Sequence, residues 1–379
     1  MTRKSAGSVR ILLMTLSVLG YACGPHPSRL IPHMKDGVMD TADTLTLGLP
    51  RCADMQWTEV FHSEGYVNNA VLTRFQGKFY CMWQQSERDE DTPDTRVMYA
   101  VSADGKAWGS PSILAEPTEE FFASPGGWLR QGDSLTALVN YTYAADRSRG
   151  GKAFFVSSAD GLLWSAPRPV LMADGTPVEG LLEQDPLPLP DGRIVGAVHF
   201  QPGTTLCPVY TDDPSGVRGW KRADFPEGEG LPIEPSQYLA PDGRLVMFMR
   251  DQRSSFVKLF SLSADRGASW SAPQRSNIPD SRSKQCTGSL PGGRTFWVGN
   301  PTGSKSRRAL VLATSEDGYR YDRAFLLSGP GDLSPRRKAG RYKTLGYNYP
   351  KAFVQGDSVW IALSVNKEDV YVVSVGSVR

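Results

Sequence analysis

The stretch Ser263-Ala264-Asp265-Arg266-Gly267-Ala268-Ser269-Trp270-Ser271-Ala272-Pro273 comes back along the chain at nearly even spacing. Ser102-Ala103-Asp104-Gly105-Lys106-Ala107-Trp108-Gly109-Ser110-Pro111 and Ser158-Ala159-Asp160-Gly161-Leu162-Leu163-Trp164-Ser165-Ala166-Pro167 are close copies. Thr211-Asp212-Asp213-Pro214-Ser215-Gly216 reaches its tryptophan, Trp220, after an insertion, and Thr314-Ser315-Glu316-Asp317-Gly318-Tyr319-Arg320-Tyr321 carries tyrosine in its place. Successive aspartates lie 56, 53, 52 and 52 residues apart, a period that marks a repeat architecture. In one copy the Ser/Thr and Asp side chains can bond nearby amides and the glycine supplies a positive φ. The aromatic residue folds under the turn, so each box reads as a staple between two strands, remote from any active site.

Between boxes the chain is a series of short apolar or alternating runs cut by Gly, Asp and Pro, with no sustained 3.6-residue period. In the best copy, Ser236 to Leu239, Arg244 to Met249, Phe256 to Ser261 and a short run at Ser271-Ala272-Pro273 make four strands, one propeller blade. The first turn of that unit recurs at Gln76-Gly77-Lys78, Gly132-Asp133-Ser134, Asp191-Gly192-Arg193, Asp242-Gly243-Arg244, Gly292-Gly293-Arg294 and Gly356-Asp357-Ser358. The expected fold is therefore all-β, a six-bladed β-propeller. Its last blade runs out of chain after three strands, and Met55 to Phe61 is left over at the front. That segment is expected to close the ring as the outer strand of blade six, which removes an exposed edge.

The 379 residues carry 42 basic and 40 acidic side chains, a formal charge of +2, without a basic stripe interleaved with aromatics. Nucleic acid is not an expected partner. Residues 1–23 read as an export signal, with Arg3, Lys4 and Arg10 before an apolar run from Ile11 to Leu19. Gly20-Tyr21-Ala22 before Cys23 resembles a bacterial lipoprotein signal, so the protein is expected to be exported, as a cell-surface or periplasmic lipoprotein or as a secreted protein. The lipid on Cys23 would be its contact with a membrane. No later run reaches the roughly 18 to 20 apolar residues that span a bilayer. Residues 24–50, with Pro25, Pro27 and Pro32, read as a flexible tether, and 51–379 as a single domain, expected to be a monomer. Cys52, Cys81, Cys207 and Cys286 form no C-x-x-C pair, which argues against zinc, and neither metal nor cofactor is expected. Export permits disulfides, but Cys81 lies within an apolar run and suits a buried free thiol at least as well.

Counting ten residues back and six on from the residue after each turn selects the two strand ends that meet at one mouth of the central channel. The pairs are Asn68 with Gln84, Ser124 with Asn140, Glu183 with His199, Glu234 with Arg250, Lys284 with Asn300, and Asn348 with Ser364. All are polar beside apolar strand interiors, which points to a ligand mouth, although hairpin ends are polar in many sheets. On this basis Asn68, Gln84, Glu183, His199 and Asn300 are candidate substrate-binding residues.

The segment from Glu234 to Arg250, in which the arginine follows the glutamate sixteen residues later, resembles a segment of the sialidase (neuraminidase) superfamily of Asp-box, or BNR-repeat, propellers. Gly299-Asn300-Pro301 followed by Arg307-Arg308-Ala309-Leu310 is similar to the stretch carrying another sialidase arginine, ten residues before its box aspartate, which selects Arg307. Tyr347-Asn348-Tyr349-Pro350 is similar to the stretch carrying the nucleophilic tyrosine, with Tyr349 the first choice and Tyr347 the second. The resemblance implies an exo-glycosidase that retains configuration. Arg250 and Arg307 would grip a substrate carboxylate through bidentate bonds, and Tyr349 beside Glu234 would attack the anomeric carbon. A loop acid would serve as acid/base, chosen here as Asp91 within Ser86-Glu87-Arg88-Asp89-Glu90-Asp91-Thr92-Pro93-Asp94. One departure stands out: the family's first-blade Arg-Ile-Pro arginine aligns with Asn68. Two other outcomes stay open. One is a polysaccharide lyase or atypical glycosidase acting on rhamnose-glucuronate linkages, with His199 or His62 handling the proton. The other is a non-catalytic glycan-binding propeller.

Overall fold

A computed structural model describes residues 30–145, 150–201 and 205–376. The export signal and Cys23 lie outside these residues. The chain divides after Ile31, and the body described below begins at Pro32.

Six antiparallel sheets follow one another along the chain. Blade one contains Tyr66–Phe75, Lys78–Ser86, Arg96–Ser102 and Ser112–Ala115, and blade four contains Pro232–Leu239, Leu245–Asp251, Val257–Ser263 and Gln274–Pro279. Blades two, three and five repeat the plan, the inner strand of blade three being split into Gly180–Leu182 and Leu187–Pro188. In blade six the chain supplies Tyr347–Gln355, Ser358–Val365 and Asp369–Val375. The fourth strand is Met55–His62, antiparallel to Asp369–Val375, so the ring closes as expected.

Residues 32–50 are not a tether. His33–Met34 pairs in parallel with Arg320–Tyr321 on the outer edge of blade five, and Leu47 and Leu49 are buried. The proline content that reads as a spacer is compatible with an irregular segment laid along a sheet edge, where few backbone donors are needed. The cysteines at 52, 81, 207 and 286 are free thiols, with Cys81 buried.

The boxes sit at the end of the third strand of blades one to five, at the face opposite the mouth. In blade four Ser263 Oγ donates to Asp265 Oδ1 at 2.9 Å and accepts the Gly267 amide at 2.8 Å, while the Ser269 amide reaches Asp265 Oδ1 at 2.9 Å. The box also packs across to the preceding blade, which the staple reading did not foresee. Gly105 has φ +75°, and a Cβ there would lie 2.5 Å from Trp360 Cζ3 of blade six; at Gly267 (φ +82°) it would lie 2.7 Å from Val195 Cγ1 of blade three. Glycine is thus required twice over, for its backbone conformation and for the close approach of the neighbouring blade. Between blades the apolar faces merge into shared clusters, for example Val60, Leu72, Phe79, Trp83, Ala362 and Val370 joining blades one and six.

Candidate active site

The inner strands do not run smoothly into the mouth. Register shifts fall between Asn68 and Val71, between Ile233 and Ser236, and between Asn348 and Lys351. At these bulges Asn69, Glu234 and Tyr349 take left-handed φ values of 55°, 51° and 54°. Such a conformation is costly for a residue with a side chain, and bulges of this kind re-aim side chains. All three line one polar cavity of about 180 Å³, together with Gln84, Glu90, Asp91, Ser124, Glu183 and Lys284.

The three glutamates of this cluster each have a defined partner. Arg250 Nη1 donates to Glu234 Oε2 at 2.9 Å. Lys284 Nζ bonds Glu183 and reaches Asn69 Oδ1 at 3.2 Å. Lys367 Nζ donates to Glu90 Oε2 at 2.6 Å, and Asn68 Nδ2 to Glu90 Oε1 at 3.3 Å. Burial works against ionisation of Glu234, but the charges of Arg250 and Lys284 outweigh it and hold the group below the usual glutamate range. For Glu183 burial is again outweighed, by Lys284 and His199, and the carboxyl is lowered to about 2. The Tyr349 phenol is pushed well above its ordinary value by burial and by Glu234 and Glu90, against the pull of Arg307 and Arg250. Its ring is flanked by three cations, with Lys284, Arg307 and Lys367 lying 5.0, 5.1 and 5.5 Å from the centroid.

Of the two tyrosine candidates, Tyr349 faces the cavity. Tyr347 turns away, its hydroxyl sharing a 2.6 Å hydrogen bond with Ser328 Oγ and donating to the Gly329 carbonyl at 3.2 Å. Within the acidic run, Asp91 and Glu90 line the cavity. Asp89 instead accepts the Tyr342 amide at 3.2 Å, and Asp94 the Glu87 amide at 2.7 Å. The polar ring does two jobs. Gln84 lines the cavity, whereas Asn300 is a clamp between blades, donating to the carbonyls of Ala309 at 2.9 Å and Tyr347 at 3.1 Å. Asn68 is fully buried and does not line the cavity, whereas its neighbour Asn69, itself only 4% exposed, does.

Glu183 and His199 do not form the expected register pair, since His199 opposes Leu181 and Glu183 lies in the break of the split inner strand. They still meet, with His199 Nδ1 3.7 Å from Glu183 Oε1. His199 Nε2 accepts the Glu234 amide at 3.2 Å, which fixes the bulge that aims Glu234. That nitrogen is engaged, and burial keeps the imidazole below its ordinary value, so a proton-handling role for His199 has no support in this geometry. His62 lies on the closing outer strand, 3.0 Å from Asp369 and half exposed, and does not line the cavity.

Stability is expected to fall on acidification in two stages. His199, with its folded value depressed, contributes stability that is present above about pH 6.5 and lost below it. Glu183 contributes stability that is present above its ordinary 4.5 and lost as the pH falls towards 2, an effect of about 3 kcal/mol. Urea midpoints measured from pH 7 to pH 3 should fall throughout; a flat profile would contradict the buried ionic cluster.

The sequence profile of the BNR repeat-like domain matches residues 77–361. The chain belongs to this family. No curated protein matches it. Among solved structures, this BNR-repeat protein is similar to a sialidase at 18% identity and TM-score 0.67, over 91% of this chain and 35% of that one. It therefore spans about a third of that relative's length. It is also similar to the intramolecular trans-sialidase of Ruminococcus gnavus, at 11% identity and TM-score 0.62, covering 85% and 98% of the two chains. A protein of unknown function from Dyadobacter fermentans matches at 14% identity and TM-score 0.63, again over 85% and 98%. At these identities the likeness establishes that the BNR-repeat chain shares the sialidase propeller fold.

Proposed function

We propose that the protein is an exported retaining exo-glycosidase that removes a terminal acidic sugar from glycans or polysaccharides. The observation that carries this reading is the meeting of Glu234 and Tyr349 in one cavity, each on a bulge with a left-handed backbone, with Asp91 and Glu90 on the same wall. Glu234, kept ionised by Arg250, takes the phenolic proton as Tyr349 Oη attacks the anomeric carbon. Asp91 gives its proton to the leaving glycosidic oxygen. Water, deprotonated by Asp91, then displaces the tyrosine, whose oxygen recovers its proton from Glu234; two inversions give net retention. A neutral phenol suits this task, because a carboxylate nucleophile would repel an anionic sugar. The cations around the ring stabilise the phenolate as it forms and as it leaves.

Sialyl conjugates are the first substrates to try, since the neighbouring folds include sialidases, and a rhamnosyl-glucuronate oligosaccharide is the second. Proton NMR of the nascent product should show free acidic sugar with the configuration of the substrate. Absorbance at 235 nm should stay flat, because an unsaturated uronate arises by elimination. A growing 235 nm chromophore, or an inverted first product, would reject the retaining hydrolase.

A further inference from the structure

Asp91 is a fourth residue of the cavity with a left-handed backbone, its φ being 57°. Asn69, Glu234 and Tyr349 owe theirs to bulges between paired strands, where the ladder on either side enforces the conformation. Asp91 has no such ladder, since it lies in the loop between Lys78–Ser86 and Arg96–Ser102. The Glu87 amide bonds Asp94 at 2.7 Å, which closes the neck of the loop and leaves its turn unsupported. A strained residue persists only where its surroundings over-determine it, so the support for Asp91 is to be sought outside the loop.

It comes from blade six, through the two acids that precede Asp91. Glu90 is taken by Lys367 Nζ. Asp89 reaches into the connector between blades five and six, in which Arg341 is 252 residues away along the chain. Its carboxylate accepts the Arg341 amide, the Tyr342 amide at 3.2 Å and, on its own side, the Glu90 amide at 2.8 Å. One side chain thus ties the backbone of the acidic loop to the backbone of the connector. The connector is fixed in turn by Glu368, the neighbour of Lys367, which is wholly buried and accepts the amides of Arg337 at 2.9 Å and Lys338 at 2.7 Å. Lys343 Nζ adds a bond to the Gly65 carbonyl at 2.7 Å. At Gly340 a Cβ would lie 3.1 Å from Asp89 Oδ2 and 2.9 Å from Lys343 Cγ, so the close approach of connector and loop uses the missing side chain.

We propose that Asp89, which does not itself line the cavity, is a positioning residue: by binding the blade five to six connector it holds Asp91 where a leaving glycosidic oxygen can take its proton. The assignment rests on the hydrolase reading, and leaving groups test it. A sugar aglycone must be protonated as it departs, whereas 4-methylumbelliferone leaves without help. Each acidic sugar is therefore offered twice, as 3′-sialyllactose or a glucuronosyl disaccharide and as its 4-methylumbelliferyl glycoside, and kcat/KM is compared because it reports the steps up to departure of the aglycone. Asp89→Ala should lower kcat/KM for the disaccharide by roughly thirty- to a hundredfold and for the aryl glycoside by no more than about threefold. Gly340→Val, which crowds the same contact from the connector and leaves Asp89 intact, should give the same split. Both variants should keep the urea midpoint of wild type, and the amides of residues 92–95 should exchange faster with deuterium than in wild type. Equal losses on the two leaving groups, an unchanged rate on the disaccharide, or unchanged exchange at 92–95 would overturn the assignment. If wild type cleaves none of the four compounds, the hydrolase reading falls and the positioning role with it, while faster exchange would leave Asp89 as an anchor of the loop alone. Cleavage that shows no split between leaving groups would reject the role of Asp89 and leave the hydrolase standing.

Discussion

Tyr349→Phe is expected to lower turnover of a terminal acidic glycoside by on the order of a thousandfold or more, with little change in the urea midpoint. The size of the effect follows from what is removed. The substitution deletes a single oxygen, leaving the ring between Lys284, Arg307 and Lys367 and leaving the left-handed bulge in place. Binding should therefore persist, so that kcat falls much further than KM rises. The profile separates this reading from a glycan-binding propeller, for which loss of the hydroxyl has no catalytic consequence. A variant that retains near-wild-type kcat would remove Tyr349 from the chemistry.

Deletion of residues 51–62 is expected to abolish the cooperative folded state, even though these residues lie outside the cavity. The strand Met55–His62 is the outer strand of blade six, and its loss would expose the whole edge of Asp369–Val375. Its aromatic side chains also pack, one across to blade one and one within blade six. Phe61 stacks on Trp83 of blade one at 5.2 Å, and Trp57 lies 5.8 Å from Tyr347 and 6.0 Å from Tyr371. Losing the burial of side chains of this size costs about 2 kcal/mol each, and the strand supplies several, against a total stability of roughly 5 to 15 kcal/mol. The expected result is a soluble yield near zero or a chain without a sharp unfolding transition by circular dichroism. A truncated protein with a wild-type midpoint would show that the ring closes in another way.

The fold was largely legible because its two determinants are periodic. The boxes fix the 52-residue repeat, and each places serine, aspartate and glycine where a turn can use them. The unused strand at Met55 followed from counting strands in blade six. The packing of Gly105 on Trp360 was not legible, since it joins residues 255 apart in sequence and no local pattern records it. Residues 32–50 misled for a related reason: prolines and few apolar residues describe a linker and an edge segment equally well.

The site was half legible. Glu234, Arg250, Arg307 and Tyr349 could be chosen by spacing and resemblance, because regular strands carry a count faithfully. What the count cannot carry is a bulge. Asn69, Glu234 and Tyr349 face the cavity only because each adopts a backbone conformation that nothing in its own chemistry announces. The extra residue in the bulge explains why Asn69 lines the cavity where Asn68 was expected. Lys367 enters from the hairpin Asn366-Lys367-Glu368, whose first two residues have φ of 57° and 56°. An asparagine between two alternating strands was a weak cue to that turn.

The proposed mechanism requires a covalent bond to Tyr349. Wild-type protein is mixed with a slow, fluorine-substituted glycoside of the acidic sugar it cleaves, then quenched with acid, digested and mapped by mass spectrometry. One glycosyl adduct is expected, on the peptide containing Tyr349 and localised to that residue by fragmentation, and none in Tyr349→Phe. An adduct on another side chain, or steady consumption of the reagent with unmodified Tyr349, would contradict it.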